Sequence, residues 1–261
     1  MIDKELASRL EFHYRAFDKS KISPDPLEFP HKYSDPKDIE IVAFISAVYA
    51  YGNVKNINST LSSIFESMGE SPYNFLIKND QNKFNGLNSL IYRFYNFNHS
   101  VVYFETLKII LDKYGSLKNL FYKYYEPGSG SIKIALTGFC SELNTTARKY
   151  FPDSDNKIIS HFFSSPSGGS TCKRMNLFLR WMVRKDELDF GLWNEVLTSE
   201  LIIPVDTHIA KVSQLLKLTG MKTVNWRMAE DITNNLKQYD PIDPVKYDFA
   251  LCHIGMRKLE F

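Results

Sequence analysis

The stretch "DIEIVAFISAVYAY", residues 38 to 51, is apolar almost all the way round a helical wheel. A helix of that kind has no solvent face, so other elements must enclose it. Gly52 and Asn53 follow as a stop signal. The chain must therefore supply amphipathic structure to wrap a central helix. "VKNINSTLSSIFESMG" (54–69) sets Ile57, Leu61, Ile64 and Phe65 at helical spacing. "VVYFETLKIILDKYG" (101–115) does the same, and "SIKIALTGFCSELNTTARKYF" (131–151) is a further candidate. No convincing alternation of apolar and polar residues marks a strand, and "LIIPV" (201–205) is ambiguous. The expected fold class is all-α, with many short helices and short links. "KISPDPLEFPHKYSDP" (21–36), with four prolines, is expected to be a rigid irregular connection after an N-terminal helix.

Length and composition allow such a fold. The chain has 261 residues, 44% of them hydrophobic and 14% aromatic, enough for a real core in one large domain or two interleaved ones. Disorder is excluded on the same grounds. A net charge of +2 is no polyanion signature, although a small basic patch on a balanced protein can still bind one. Cys140, Cys172 and Cys252 are odd in number and far apart, which argues against a disulfide framework or a cysteine-ligated metal. "MIDKELASRLEFHY" is charged and amphipathic, and no run approaches the roughly 18 apolar residues of a membrane span. A cytoplasmic protein with no membrane partner is the expectation, and a monomer the default.

Two segments carry candidate chemistry. In "SSPSGGSTCKRMNLFLRWMVRK" (164–185), Pro166, Gly168 and Gly169 suggest a tight turn and Ser170 a helix N-cap. Met175, Phe178, Leu179 and Met182 form an apolar face, while Lys173, Asn176, Arg180 and Arg184 form a polar stripe. Glycines leading into a helix expose amides that can hold a phosphate. Lys173 falls in the first turn, where the helix dipole disfavours a cation. A positive environment there is expected to lower its pKa, which is what a nucleophilic amine needs. Each basic residue taken singly is more simply a solvated face. In "LIIPVDTHIAKV" (201–212), Asp206 precedes a helix carrying Ile209, Val212 and Leu216, and alone it reads as an N-cap. Asp206 and His208 do not make a metal pair, because residues two apart do not share a helix face. His208 reads as a structural donor.

Taken together, the two segments resemble the helix-hairpin-helix DNA glycosylase superfamily. "VDTHIAKV" is similar to the segment carrying its catalytic aspartate, here Asp206. "GGSTCKRMN" resembles the hairpin and second helix carrying the catalytic lysine of its bifunctional members, here Lys173, with Asn176 also matching the endonuclease III pattern. Asp206 comes 33 residues after Lys173, a separation closer to the archaeal 8-oxoguanine glycosylase branch. "VKYDFALCHIGM" resembles a late helix of that fold, its Asp248 matching an acidic residue near the base pocket. "SAVYAYGN" lies where the superfamily has a glutamine-bearing turn, and Tyr51 and Asn53 stand there instead. The four-cysteine cluster of endonuclease III is absent. The chain as a whole also resembles a bacterial family of unassigned function.

The resemblance implies two helical lobes, one of residues 38–185 and one joining 1–37 to 186–261. It implies excision of a damaged base, an oxidised purine such as 8-oxoguanine, from double-stranded DNA, with AP lyase activity through a Lys173 Schiff base. No metal or organic cofactor is implied. Gly168, Gly169, Ser170, Arg180 and Arg184 would hold the DNA backbone. Tyr51, Asn53 and Asp248 would line the base pocket, and no single ring among Tyr51, Trp181, Trp193 and Phe249 stands out as a stacking platform. Two other readings stay open: a helix-hairpin-helix protein that binds nucleic acid without excision, and a helical scaffold for a protein partner.

Overall fold

A computed structural model describes residues 3–78, 80, 83–88 and 90–257, with side chains as far as Cys252. Among these residues twelve α-helices occur and no strand: α1 (Lys4–Arg15), α2 (Pro36–Tyr49), α3 (Val54–Met68), α4 (Pro72–Ile77), α5 (Phe97–Tyr114), α6 (Leu117–Tyr122), α7 (Lys133–Tyr150), α8 (Asn156–Phe162), α9 (Lys173–Val183), α10 (Thr207–Leu215), α11 (Trp226–Leu236) and α12 (Asp248–Arg257). The all-α expectation holds. The proline-rich connection forms three short 3-10 turns between Lys19 and Lys32, and 201–205 carries no regular secondary structure. Among the described residues no helix is long and apolar enough to cross a membrane.

The chain divides into two compact units, one of residues 23–125 and 134–165, the other of 1–22, 126–133 and 166–261. These boundaries differ from the expected 38–185 and 1–37 plus 186–261. Segment 166–185 belongs with both termini, because the polar stripe of α9 pairs with acids downstream of it, as described below.

In the first of these units α2 is buried at every position from Asp38 to Tyr49. Its two carboxylates are therefore out of water, and each is used as a cap for another helix. Asp38 accepts from Ser71 Oγ at 2.9 Å and Tyr73 N–H at 2.8 Å, at the start of α4. Glu40 accepts from Leu117 N–H at 2.9 Å and Lys118 N–H at 3.0 Å, at the start of α6. The three amides are first-turn donors with no acceptor in their own helix, and that of Leu117 is buried. Glu40→Gln keeps only one acceptor oxygen for the two amides, so urea unfolding should show a loss of about 1–3 kcal/mol. Around α2 the core is largely aromatic: Phe44 packs on Tyr103 and Phe139, and Tyr49 on Tyr95, Tyr103 and Phe162.

In the other unit α10 and α1 both pack on α12. The apolar face of α9 is buried as its spacing predicts, with Phe178 edge-on to Trp193 at 5.1 Å. Leu201 to Val205 are all buried, and Ile203 N–H donates to Thr233 Oγ1 of α11 at 3.0 Å. An apolar strand-like run therefore passes through the core and emerges at Asp206.

Candidate active site

The turn before α9 is built from Pro166–Gly168, in 3-10 form, and Gly169 at φ 75°. Gly169 C=O accepts from Trp226 N–H at 3.1 Å, which ties the turn to the start of α11. Residues 167–170 are exposed, and a Cβ added to Gly168 or Gly169 would meet nothing within 4 Å. Their outer faces are open. Ser170 is not the N-cap predicted for it. Its hydroxyl accepts from Cys172 N–H at 3.1 Å, and Cys172 itself is the cap residue, in the left-handed region at φ 50° with no side-chain cap bond. A non-glycine residue at such φ is strained, and strain of this kind clusters at functional sites. Asn176 Nδ2 donates to Thr171 C=O at 3.0 Å and holds this turn against the first turn of α9. Lys173 is thereby delivered as the first residue of the helix.

Asp206 answers its two readings with its two oxygens. Oδ1 accepts from His208 N–H and Ile209 N–H, both at 2.9 Å, so Asp206 is the N-cap of α10. Oδ2 lies 3.1 Å from Lys173 Nζ. Both side chains are about a third exposed, at 28% and 32%, so the pair is reachable from solvent yet held from below. For Lys173, burial lowers the pKa, but the Asp206 charge, with Cys252 and Asp248 adding to it, more than offsets that, and the net shift is upward. The expected downward shift of the lysine is thus corrected: the helix dipole is outweighed by a carboxylate in contact. For Asp206, burial raises the pKa, while the Lys173 charge and the two capping amides prevail and lower it. The resting pair is ammonium and carboxylate. It stabilises the fold at neutrality; that contribution fades only as pH falls through a value below 3.8 or rises through one above 10.5.

A family profile described as "Protein of unknown function (DUF2400)" matches residues 25–257. The chain belongs to the DUF2400 family. The matched span contains the turn before α9, Lys173 and Asp206. No curated protein and no solved structure matches the chain.

The remaining predicted residues are distributed differently. Arg180 and Arg184 are not a solvated stripe: they are 2% and 3% exposed. Arg180 pairs with Asp189 at 3.1 Å and Asp248 at 2.5 Å; Arg184 pairs with Asp189, with Asp186 at 2.9 Å and with Asp243 at 2.8 Å. Neither guanidinium is free to meet a phosphate, which corrects their assignment to DNA binding. The physical reason is that Asp186 and Asp189 just after α9, together with the distant Asp243 and Asp248, cover this helix face. Asp248 is likewise a buried partner of Arg180 and not part of an open pocket wall. Burial pushes its carboxyl up to about 6 against the pull of Arg180 and Lys173. Tyr51 and Asn53 lie in the other unit, where Tyr51 is exposed and Asn53 caps α3. His208 Nε2 is buried with no hydrogen-bond partner among the described residues. Among the described residues no three His, Cys, Asp or Glu side chains are placed to hold a metal ion. The sequence reading missed Asp189. A helix carrying arginines two turns into an otherwise apolar face, followed by "DELD", is the signal that could have found it.

Proposed function

We propose that the chain is a DNA repair glycosylase with AP lyase activity, acting on duplex DNA that carries a damaged base, an oxidised purine such as 8-oxoguanine. The observation that supports this most is the contact between Lys173 and Asp206. An amine and a carboxylate meet at two helix N-termini, beside a strained turn whose outer face is open. The turn at Gly168, Gly169 and Ser170 would receive a phosphate, without help from Arg180 and Arg184. The target nucleotide would be flipped out of the duplex toward the pair.

The raised pKa of Lys173 sets the order of proton steps. As the glycosidic bond breaks, its electron pair leaves with the base, and the Lys173 ammonium gives the departing base a proton. The amine so freed bonds to C1′. Asp206, held ionised, stabilises the positive charge on the sugar between these events. The C1′–O4′ bond then breaks, O4′ taking a proton shed by the Lys173 nitrogen, which leaves a Schiff base; water takes a proton from C2′, and the C3′–O bond breaks with its electron pair leaving on the 3′ phosphate. No cofactor enters the scheme.

Borohydride trapping of the full chain on duplexes with different lesions tests the proposal. A covalent adduct should form with wild type on an oxidised-purine or abasic duplex and be absent from Lys173→Gln. The second reading, a DNA-binding protein without excision, draws on the same ion pair: a lysine held as ammonium is also what a purely structural bridge would show. Binding with no adduct on any lesion would select it.

A further inference from the structure

In the unit holding α2 to α8, Tyr92 and Tyr95 exchange two backbone hydrogen bonds of 2.8 Å, closing a two-residue turn with Arg93 and Phe94 at its tip. Arg93 is left-handed there, at φ 54°. Its guanidinium lies 4.6 Å from the Tyr51 ring centroid and 5.2 Å from that of Phe94, and the two rings are 6.0 Å apart. Tyr51 and Phe94 are 44% and 47% exposed. Gly52 makes the arrangement possible, since a Cβ there would come within 2.8 Å of the guanidinium.

The base of this stack is buried and hydrogen-bonded. Tyr92 is buried and donates its hydroxyl to Tyr51 C=O at 2.6 Å. Tyr95 is buried, stacks on Phe162 at 4.1 Å and meets His161 Nδ1 through its hydroxyl at 2.5 Å. Exposed planar groups held this firmly lose little freedom when something stacks on them.

We propose that Tyr51, Arg93 and Phe94 form a stacking platform for an unpaired base of a nucleic acid strand. Every base has a π-face, and aromatic rings and guanidinium planes are what such faces stack on. The charge of the surroundings fits a polyanion better than an apolar protein partner. Arg93 makes no ion pair among the described residues. In sequence the turn runs into the start of α5 and Tyr51 lies just before the start of α3, helices of 18 and 15 residues with no acidic residue in the first turn. Both ends carry positive dipole charge. The inference rests on the chain being a nucleic-acid protein, and it adds the form of strand the chain meets: one with bases out of the helix.

The test uses the full chain, a fluorescein-labelled 20-nucleotide single strand, and the perfect duplex of the same sequence. Wild type should bind the single strand more tightly than the duplex and quench 2-aminopurine placed in it. Tyr51→Ala and Phe94→Ala should each weaken single-strand binding about tenfold. Phe94→Trp, which keeps an aromatic face at that position, should bind like wild type. Arg93→Gly suits the left-handed turn and tests the cation with little risk to folding; it should lower the salt slope by about one. No single-strand binding by wild type overturns the platform. So does unchanged binding by the Ala variants at wild-type melting temperature, which would leave the patch to a protein partner. A borohydride adduct together with unchanged binding sinks the platform alone. A tenfold loss with no adduct sinks the excision reading alone.

Discussion

Asp189→Asn should destabilise the protein by about 3–5 kcal/mol, the cost of leaving buried charge uncompensated. Asp189 is fully buried in its side chain and is shared by Arg180 and Arg184, whose side chains are 3% exposed. Each arginine keeps another acid, Asp248 for Arg180 and Asp186 and Asp243 for Arg184, but the amide has one acceptor and no charge for the two cations it sits between. A thermal melt should show a shift of about 10 °C, given how a few kcal/mol translate at this chain length. Asp243→Asn is the comparison. Its carboxylate is 25% exposed, so water can replace part of what is lost, and its cost should stay near 1 kcal/mol. Equal melting temperatures for the two variants would mean that the buried pairing contributes no more than a surface one. This cost is independent of any activity, because Asp189 only holds α9 in place.

The second large effect separates the two roles of Asp206. Its Oδ1 caps α10 and its Oδ2 meets Lys173. Asn caps about as well as Asp, so Asp206→Asn should leave DNA binding intact and the melting temperature within a few degrees of wild type. The same change removes the charge that would stabilise a cationic sugar, and single-turnover excision on an oxidised-purine duplex should fall at least a hundredfold. Losing the carboxylate also frees Lys173 from its strongest raising influence, so its pKa should drop toward or below 10.5. A lysine-specific labelling reagent should then modify Lys173 faster at pH 8 in the variant than in wild type. Lys173→Gln should abolish the trapped adduct whatever excision remains. If both variants excise like wild type, the enzymatic reading is lost and Asp206 is a cap with a salt bridge.

The sequence by itself determined the class of the fold. A fourteen-residue stretch apolar on every face leaves only a buried helix, and α2 is that helix; the spacing of Ile57, Leu61, Ile64 and Phe65 predicts α3, and Met175, Phe178, Leu179 and Met182 predict the buried face of α9. Asp206 as an N-cap was legible too, because capping is local: a short acceptor placed just before an amphipathic run. What the sequence could not supply is any relation between residues distant along the chain. Arg180 and Arg184 look like a solvated stripe until Asp243 and Asp248, 59 and 68 residues further on, are seen beside them. Segment 166–185 joined the termini for the same reason. Ser170 lost the cap position because a left-handed Cys172 starts the helix two residues later, a backbone state that no cysteine advertises. The lysine's environment was misread in sign: the helix dipole is visible in sequence, whereas the carboxylate 3.1 Å away comes from 33 residues downstream. Periodicity and caps depend on neighbours within a turn or two, so sequence carries them. Charge pairing and pKa depend on what the fold brings into contact, and only the tertiary structure decided those.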